Sequence, residues 1–334
     1  MRLYLWLGLW AVLSLARNAQ AEVDTVVSGY QYGLTYLPLM VMQEQHLVEK
    51  QAQAMQIKDL KTDWKIFSGP APINDGLLSG SLHFGGVGTP SLVTLWAKTR
   101  SSIGIRAVGS LAYMPMYLNT NNDKVKTLED FGSQDKIAVP SVKVGVQAVT
   151  LQMAAAQKFG LKQFDKLDYL TVGMAHPEAF VALLSGKSGI SAHFASVPFQ
   201  SQEIEQGKGK VHTVLKSYDI LGGPATFTLV VAAEKFRKAN PKVYEAYTRA
   251  FEEATKFING NKKEAADLYL KVSGSKETPA SILALLNDPE NVFDLTPKQI
   301  SKYATFMHEV GTIKEQAASW QDLAHPNLAG RPGS

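Results

Sequence analysis

The chain has 334 residues, 45% of them hydrophobic, and a formal net charge of +4. That length and apolar content suffice for two packed domains, and so even a charge balance favours neither nucleic acid nor an acidic membrane as a partner. The complete lack of cysteine excludes disulfides, thiolate metal sites, a cysteine nucleophile and a lipid-bearing cysteine anchor.

The opening segment MRLYLWLGLWAVLSLARNAQA carries Arg2, an apolar run from Leu3 to Leu15, and Ala19 and Ala21 in an A-x-A arrangement. These are the three parts of a secretory signal peptide cleaved after Ala21. The run falls short of the roughly 20 residues a membrane span needs. Its removal takes Arg2 and Arg17 and no acidic residue, leaving a net charge of +2. A cysteine-free mature protein of this kind is expected free in the periplasm.

Next come three strand-then-helix units. DTVVSG is a β-branched strand followed by the helix LPLMVMQEQHLVEKQ, with Pro38 in its first turn; DWKIFSG precedes the short helix APINDGLLSG; LHFGGVG precedes TPSLVTLWAKT, with Thr89 as N-cap and Pro90 as first helical residue. Such repetition predicts an α/β fold with a mainly parallel sheet.

The pattern then restarts with the extended runs IGIRAVGS and MPMYLNT. It continues through KIAVPS, LDYLTV, the helix PEAFVALLSG, and the strands GISAHFA and VHTVLKS. From PATFTLVVAAEKF onward the chain reads as mostly helical. Val243, Tyr247, Ala250, Phe251, Ala254, Phe257 and Ile258 form one apolar stripe on a helix, which predicts core packing. The polar end AHPNLAGRPGS is expected to be mobile. Two α/β series and a return strand predict two lobes joined by strands crossing near 108–117 and 222–231. The expected boundaries are 22–112 plus 226–334 for lobe 1 and 113–225 for lobe 2. Ligands of open α/β sheets sit beyond the carboxyl ends of the strands, so the cleft between the lobes is the expected site.

Several loops there carry chemistry, each with a plain structural alternative. PSVKVGVQ joins a strand to a helix. Ser141 and Lys143 could help its unpaired N–H groups hold a small anion, or could serve only as a cap and a solvated side chain. With neither G-K-[ST] nor repeated glycines, the loop is neither a Walker loop nor a dinucleotide fingerprint. Gln31, Tyr32 and Tyr36 in GYQYGLTYLP offer an amide and two phenols to a pocket, though tyrosines also pack at lobe surfaces. Thr89 is a cap that could also touch ligand. His176 and Glu178 in MAHPEAF precede a helix whose start favours an acidic residue with or without function. His193 in SAHFAS suits a hydrogen-bonded core position as well as a ligand contact. No i, i+4 histidine pair and no G-x-S-x-G elbow occur, so neither a metal site nor a catalytic triad is indicated.

Together the segments YGLTYLPLMVMQEQHLVEK, LLSGSLHFGGVGTPS, KTLEDFGSQDKIAVPS, AQKFGLKQFDKLDYLTV, PEAFVALLSG and AEKFRKANPKVYEAYTRAFEEATKFI resemble the nitrate/sulfonate/taurine-type solute-binding proteins of ABC importers. That group extends to thiamine-pyrimidine-precursor-binding proteins. The resemblance spans about residues 26–271. It implies a type II periplasmic binding fold, two α/β lobes with two crossing strands and a helical C-terminal region, closing around a small solute. It further implies an inner-membrane ABC permease as partner, a monomer, and neither cofactor nor catalysis. Its ligand contacts would be Gln31 and Tyr32, the turn from Gly88 and Thr89 to Ser91, the loop from Ser141 and Lys143 to Gln147, His176 and Glu178, His193, and Thr226, with Tyr36 beside them. The ligand would then be a sulfonate, nitrate or carboxylate, or alternatively a neutral heteroaromatic stacked on Tyr32, Tyr36, Tyr113 and Phe227. A secreted small-molecule enzyme on the same fold is the alternative of another class. The chain departs from its relatives at His83 and at 189–191, where an acidic residue is usual, and lacks the cysteine-rich signature of the pyrimidine-synthase branch.

Overall fold

The computed structural model describes residues 22–334; the segment expected to be a signal peptide lies outside the described residues. Ten strands form two five-stranded sheets. The first sheet holds β1 (Thr25–Gln31), β2 (Lys61–Phe67), β3 (Phe84–Gly88), β4 (Ile105–Tyr113) and β10 (Thr226–Ala233) in the order β2-β1-β3-β10-β4. The second holds β5 (Tyr117–Thr120), β6 (Ile137–Val139), β7 (Thr171–Gly173), β8 (Ala192–Ala195) and β9 (His212–Lys216) in the order β7-β6-β8-β5-β9.

The two orders are the same arrangement built twice. In each sheet three parallel strands lie side by side, and the fourth place is taken by an antiparallel strand arriving from the other sheet: β10 in the first, β5 in the second. The chain leaves the first sheet through 114–116 and returns through 222–225, so the fold has two α/β lobes linked by two crossings. The remaining helices, from Glu234 onward, follow the return.

Three local expectations are corrected. The run LPLMVMQEQHLVEKQ forms two helices, Leu37–Glu44 and Leu47–Ala54, because His46 takes a left-handed backbone with φ 51°. A helix unread in the sequence, Phe199–Gly207, lies between β8 and β9. Topology demands such a connection: both strands pair antiparallel to β5, so they run parallel to each other and require a crossover. The polar C-terminal segment is tied down. His325 is buried with its Nε2 on the Ala232 carbonyl, Asn327 bonds the Val108 carbonyl and accepts from Tyr244, and the Ser334 carbonyl accepts from Ile300 N–H.

The predicted stripe packs as expected. In helix Pro241–Gly260, Val243, Tyr247, Ala250, Phe251, Ala254 and Ile258 are buried, and Tyr247 stacks on Phe84 with ring centroids 3.6 Å apart. His83, one of the family departures, is structural: its Nδ1 accepts the Val27 N–H at 3.1 Å and its ring stacks on Phe236.

Candidate functional site

The carboxyl ends of six parallel strands, three per lobe, face one another across the cleft. These ends and the segments leaving them supply Gln31 at the end of β1 and Tyr32 after it, Ser68 after β2, Gly88 at the end of β3, Pro140, Gly145 and Gln147 after β6, His176 after β7 and Ser196 after β8. With Tyr36, Pro70, Ser91, Val146, Phe227 and Thr228 they line a cavity of about 20 Å³, room for about one water molecule. In this arrangement of the lobes the cavity has no room for a solute of four or more heavy atoms.

Two glycines let the lobes meet. A Cβ on Gly88 would lie 2.8 Å from Val146 Cβ, and one on Gly69 would lie 2.9 Å from the Pro140 carbonyl oxygen. Across the same seam Leu34 N–H donates to the Val197 carbonyl at 3.0 Å.

Helices Thr89–Thr99, Val146–Phe159 and His176–Ser185 begin at this cavity, with Gly88, Gly145 and Ala175 as N-caps and no side chain capping any of them. Their unpaired first-turn N–H groups and aligned dipoles create positive potential without a cation. Among the described residues lining the cavity there is no Lys, Arg, Asp or Glu. The Ser196 hydroxyl, 1% exposed, has no hydrogen-bond partner among the described residues. Gln31 Nε2 donates to the Tyr36 hydroxyl at 2.9 Å. Burial pushes the Tyr36 phenol well above its ordinary value despite that bond, so it remains a neutral donor.

Gln147 Nε2 lies 3.2 Å from His176 Nε2, and His176 Nδ1 lies 2.8 Å from His193 Nε2. Burial, and after it the neighbouring His193, hold His176 well below the ordinary histidine range.

Of the residues singled out in the sequence, the structure brings Gln31, Tyr32, Tyr36, Gly88, Gln147 and His176 together on this wall. His193 stands one ring behind it, fully buried. Thr89 lies inside its helix rather than capping it; its hydroxyl donates to the Thr226 carbonyl at 3.0 Å, because β10 runs antiparallel beside β3. Thr226 bonds Ser110 and the Lys298 N–H. Neither Ser141 nor Lys143 lines the cavity; Lys143 is exposed, with φ 64°. Tyr113, a proposed stacking partner, instead contacts Asp294 and the Thr296 carbonyl.

Glu178 lines an outer chamber of about 670 Å³ that shares Gln31, Tyr32 and Ser68 with the inner cavity. Its walls are largely apolar, including Met40, Ile66, Phe180, Val181 and Phe199. Ser91, in the turn expected to contact ligand, also lines the cavity, whereas Ser68, Ser196 and Thr228 were missed in the sequence. Ser68 and Ser196 directly follow strands in KIFS and HFAS, and that position marks the binding crevice of an open α/β sheet.

Residues 19–272 match the NMT1-like family. The alkanesulfonate-binding protein SsuA from Xanthomonas axonopodis pv. citri, bound to MOPS, superposes with a TM-score of 0.70 at 16% identity, over 90% of this chain and 98% of that one. The periplasmic nitrate-binding protein NrtA from Synechocystis PCC 6803 gives 0.69 at 15% identity, over 92% and 87%. The periplasmic aliphatic sulphonate binding protein SsuA from Escherichia coli gives 0.64 at 18%, over 90% and 99%. At such identities the likeness is one of fold. No curated protein sequence matches the chain. Family and fold agree with the doubled sheets and the inter-lobe cleft: the chain belongs to the NMT1-like family.

Proposed function

We propose that the protein captures a small anion between its lobes and delivers it to an ABC permease, acting as a monomer in the periplasm after cleavage at Ala21. In this reading lobe 1 comprises residues 22–112 and 226–334, and lobe 2 comprises 113–225. The observation that carries it is the meeting of three uncapped helix starts from both lobes around a cavity with no charged side chain but with the unpartnered Ser196 hydroxyl. An anion is held there by backbone N–H groups, the Ser196 and Tyr36 hydroxyls and the Gln147 amide, each stronger in a dry site than in water. Contacts to both lobes bias the open–closed equilibrium toward the closed form by their differential affinity.

The outer apolar chamber favours an organic anion with a short hydrocarbon body, such as an alkanesulfonate, over a bare inorganic ion. Native mass spectrometry of protein purified from the periplasm, followed by calorimetry with ethanesulfonate, nitrate and a thiamine-type aminopyrimidine, tests this. Selective binding of the sulfonate supports the proposal. Binding of the aminopyrimidine alone supports the neutral heteroaromatic alternative stacked on Tyr32 and Phe227, and turnover of any of the three refutes a receptor role.

A further inference from the structure

Behind the cavity wall, lobe 2 holds a line of buried polar groups. His176, His193 and Glu203 are 6%, 0% and 0% exposed. His176 Nδ1 lies 2.8 Å from His193 Nε2, His193 Nδ1 lies 2.5 Å from Glu203 Oε1, and Asn119 Nδ2 donates to Glu203 Oε2 at 2.9 Å. They sit on the start of helix His176–Ser185, on β8 and on helix Phe199–Gly207. The elements packed around them add Gln147, Asn119, Thr213 and the ring of Phe199, 5.5 Å from His176, none of which titrates. Glu178 lies two residues beyond His176, on the outer chamber wall.

With Glu203 as acceptor, Gln147 as N–H donor and both rings neutral, hydrogen-bond valence gives this line one direction. A carboxylate only accepts, so His193 Nδ1 carries a proton and, in a neutral ring, its Nε2 is bare. His176 then donates from Nδ1 and is left with a bare Nε2, which takes an N–H of Gln147. With its Nε2 accepting from Gln147, His176 has no N–H to give an anion in the cavity. One proton from solvent on His176 Nε2 reverses this. The proton on His176 Nδ1 passes along the hydrogen bond to His193 Nε2, His193 becomes an imidazolium beside Glu203, and His176 stays neutral with an N–H toward the cleft. The Gln147 amide turns to free that N–H.

We propose that the His176–His193–Glu203 line couples capture of a small anion to uptake of one proton, turning His176 Nε2 into an anion donor and placing the balancing cation on His193. The inference rests on the anion reading above and adds a proton to it. The depressed basicity of His176 agrees with a neutral, acceptor state when no anion is present. By linkage, the anion raises the affinity of the pair for the proton as much as the proton raises its affinity for the anion.

The test is calorimetry with ethanesulfonate and nitrate as probes from pH 5 to 8, in two buffers of different ionisation enthalpy, together with imidazole ¹⁵N spectra of the unloaded protein. The expected results are bare Nε2 atoms on both rings without anion, uptake approaching one proton per anion bound, and an affinity that falls up to about tenfold per pH unit as pH rises. In Glu203→Gln, with folding checked by circular dichroism, the proton on His193 loses its counter-charge and affinity at pH 6 falls at least about tenfold. If that variant does not fold, the wild-type pH dependence decides alone. Tight binding of either anion with no proton uptake and no pH dependence overturns the coupling and leaves the receptor role intact. Failure of both anions to bind at any pH overturns the anion reading and the coupling together.

Discussion

Replacing Gly88 with alanine separates lobe closure from lobe folding. The new Cβ would lie 2.8 Å from Val146 Cβ and 3.0 Å from its Cγ1, at the first residue of a helix in the opposite lobe. Gly88 has φ −73° and ψ 159°, a conformation alanine adopts freely, so lobe 1 itself is unstrained. Overpacking of this kind costs about 1–3 kcal/mol, and here the cost falls on the closed state alone. Solute affinity in Gly88→Ala should therefore fall about 5–150-fold, the same energy expressed as a shift between two states. Calorimetry with the anion that wild type binds measures this, and small-angle scattering at saturating anion should still show more open particles than wild type. Melting of the unloaded protein should move by no more than about 2 °C. Val146→Gly in the same chain removes the opposing Cβ and should restore affinity. Unchanged affinity in Gly88→Ala, or a large loss of melting temperature, would refute the reasoning.

Other substitutions test the cavity wall and the packed C-terminal segment. Ser196→Ala should weaken anion binding about 2–12-fold while leaving the unloaded protein as stable or slightly more so, because it deletes a hydroxyl that is buried without a partner; unchanged affinity by calorimetry would remove Ser196 from the site. Lys143→Ala should alter affinity less than about twofold, since Lys143 is exposed and off the cavity wall; a tenfold loss would return it to the cleft. Burial holds His325 down at about 4, against the pull of its Ala232 and Glu234 partners. The unfolded chain therefore binds this proton first, and stability is lost as pH falls from about 6.5 toward 4, by up to about 1.4 kcal/mol per unit. His325→Gln should flatten that part of a urea-midpoint profile, and an equally steep profile would refute the assignment.

Much of the architecture was legible because hydrophobic periodicity and turn chemistry are local. Strand-helix repetition, the apolar stripe of the Val243–Ile258 region and the glycine-rich end of LHFGGVG are properties of neighbouring residues, and they predicted two α/β lobes with a cleft at the strand ends. The split at His46 and the helix carrying Glu203 were illegible: one depends on a single left-handed backbone conformation, the other on the parallel course of β8 and β9 beside β5. The C-terminal AHPNLAGRPGS was misjudged because its polarity signals exposure, whereas His325 and Asn327 spend their polar atoms on the Ala232 and Val108 carbonyls.

The same division runs through the site. The sequence by itself pointed to the loops at the strand ends, because strand ends are read along the chain, and of its candidates Gln31, Tyr32, Gln147 and His176 line the cavity. Only the tertiary structure decided that Lys143 turns outward, that Gly88 meets Val146, and that His193 stands behind His176 on a buried Glu203. Those facts depend on side chains 29 and 17 residues apart, as in Gln147–His176 and His176–His193, or on opposite lobes. Distance in space between them is set by packing, which no local pattern encodes.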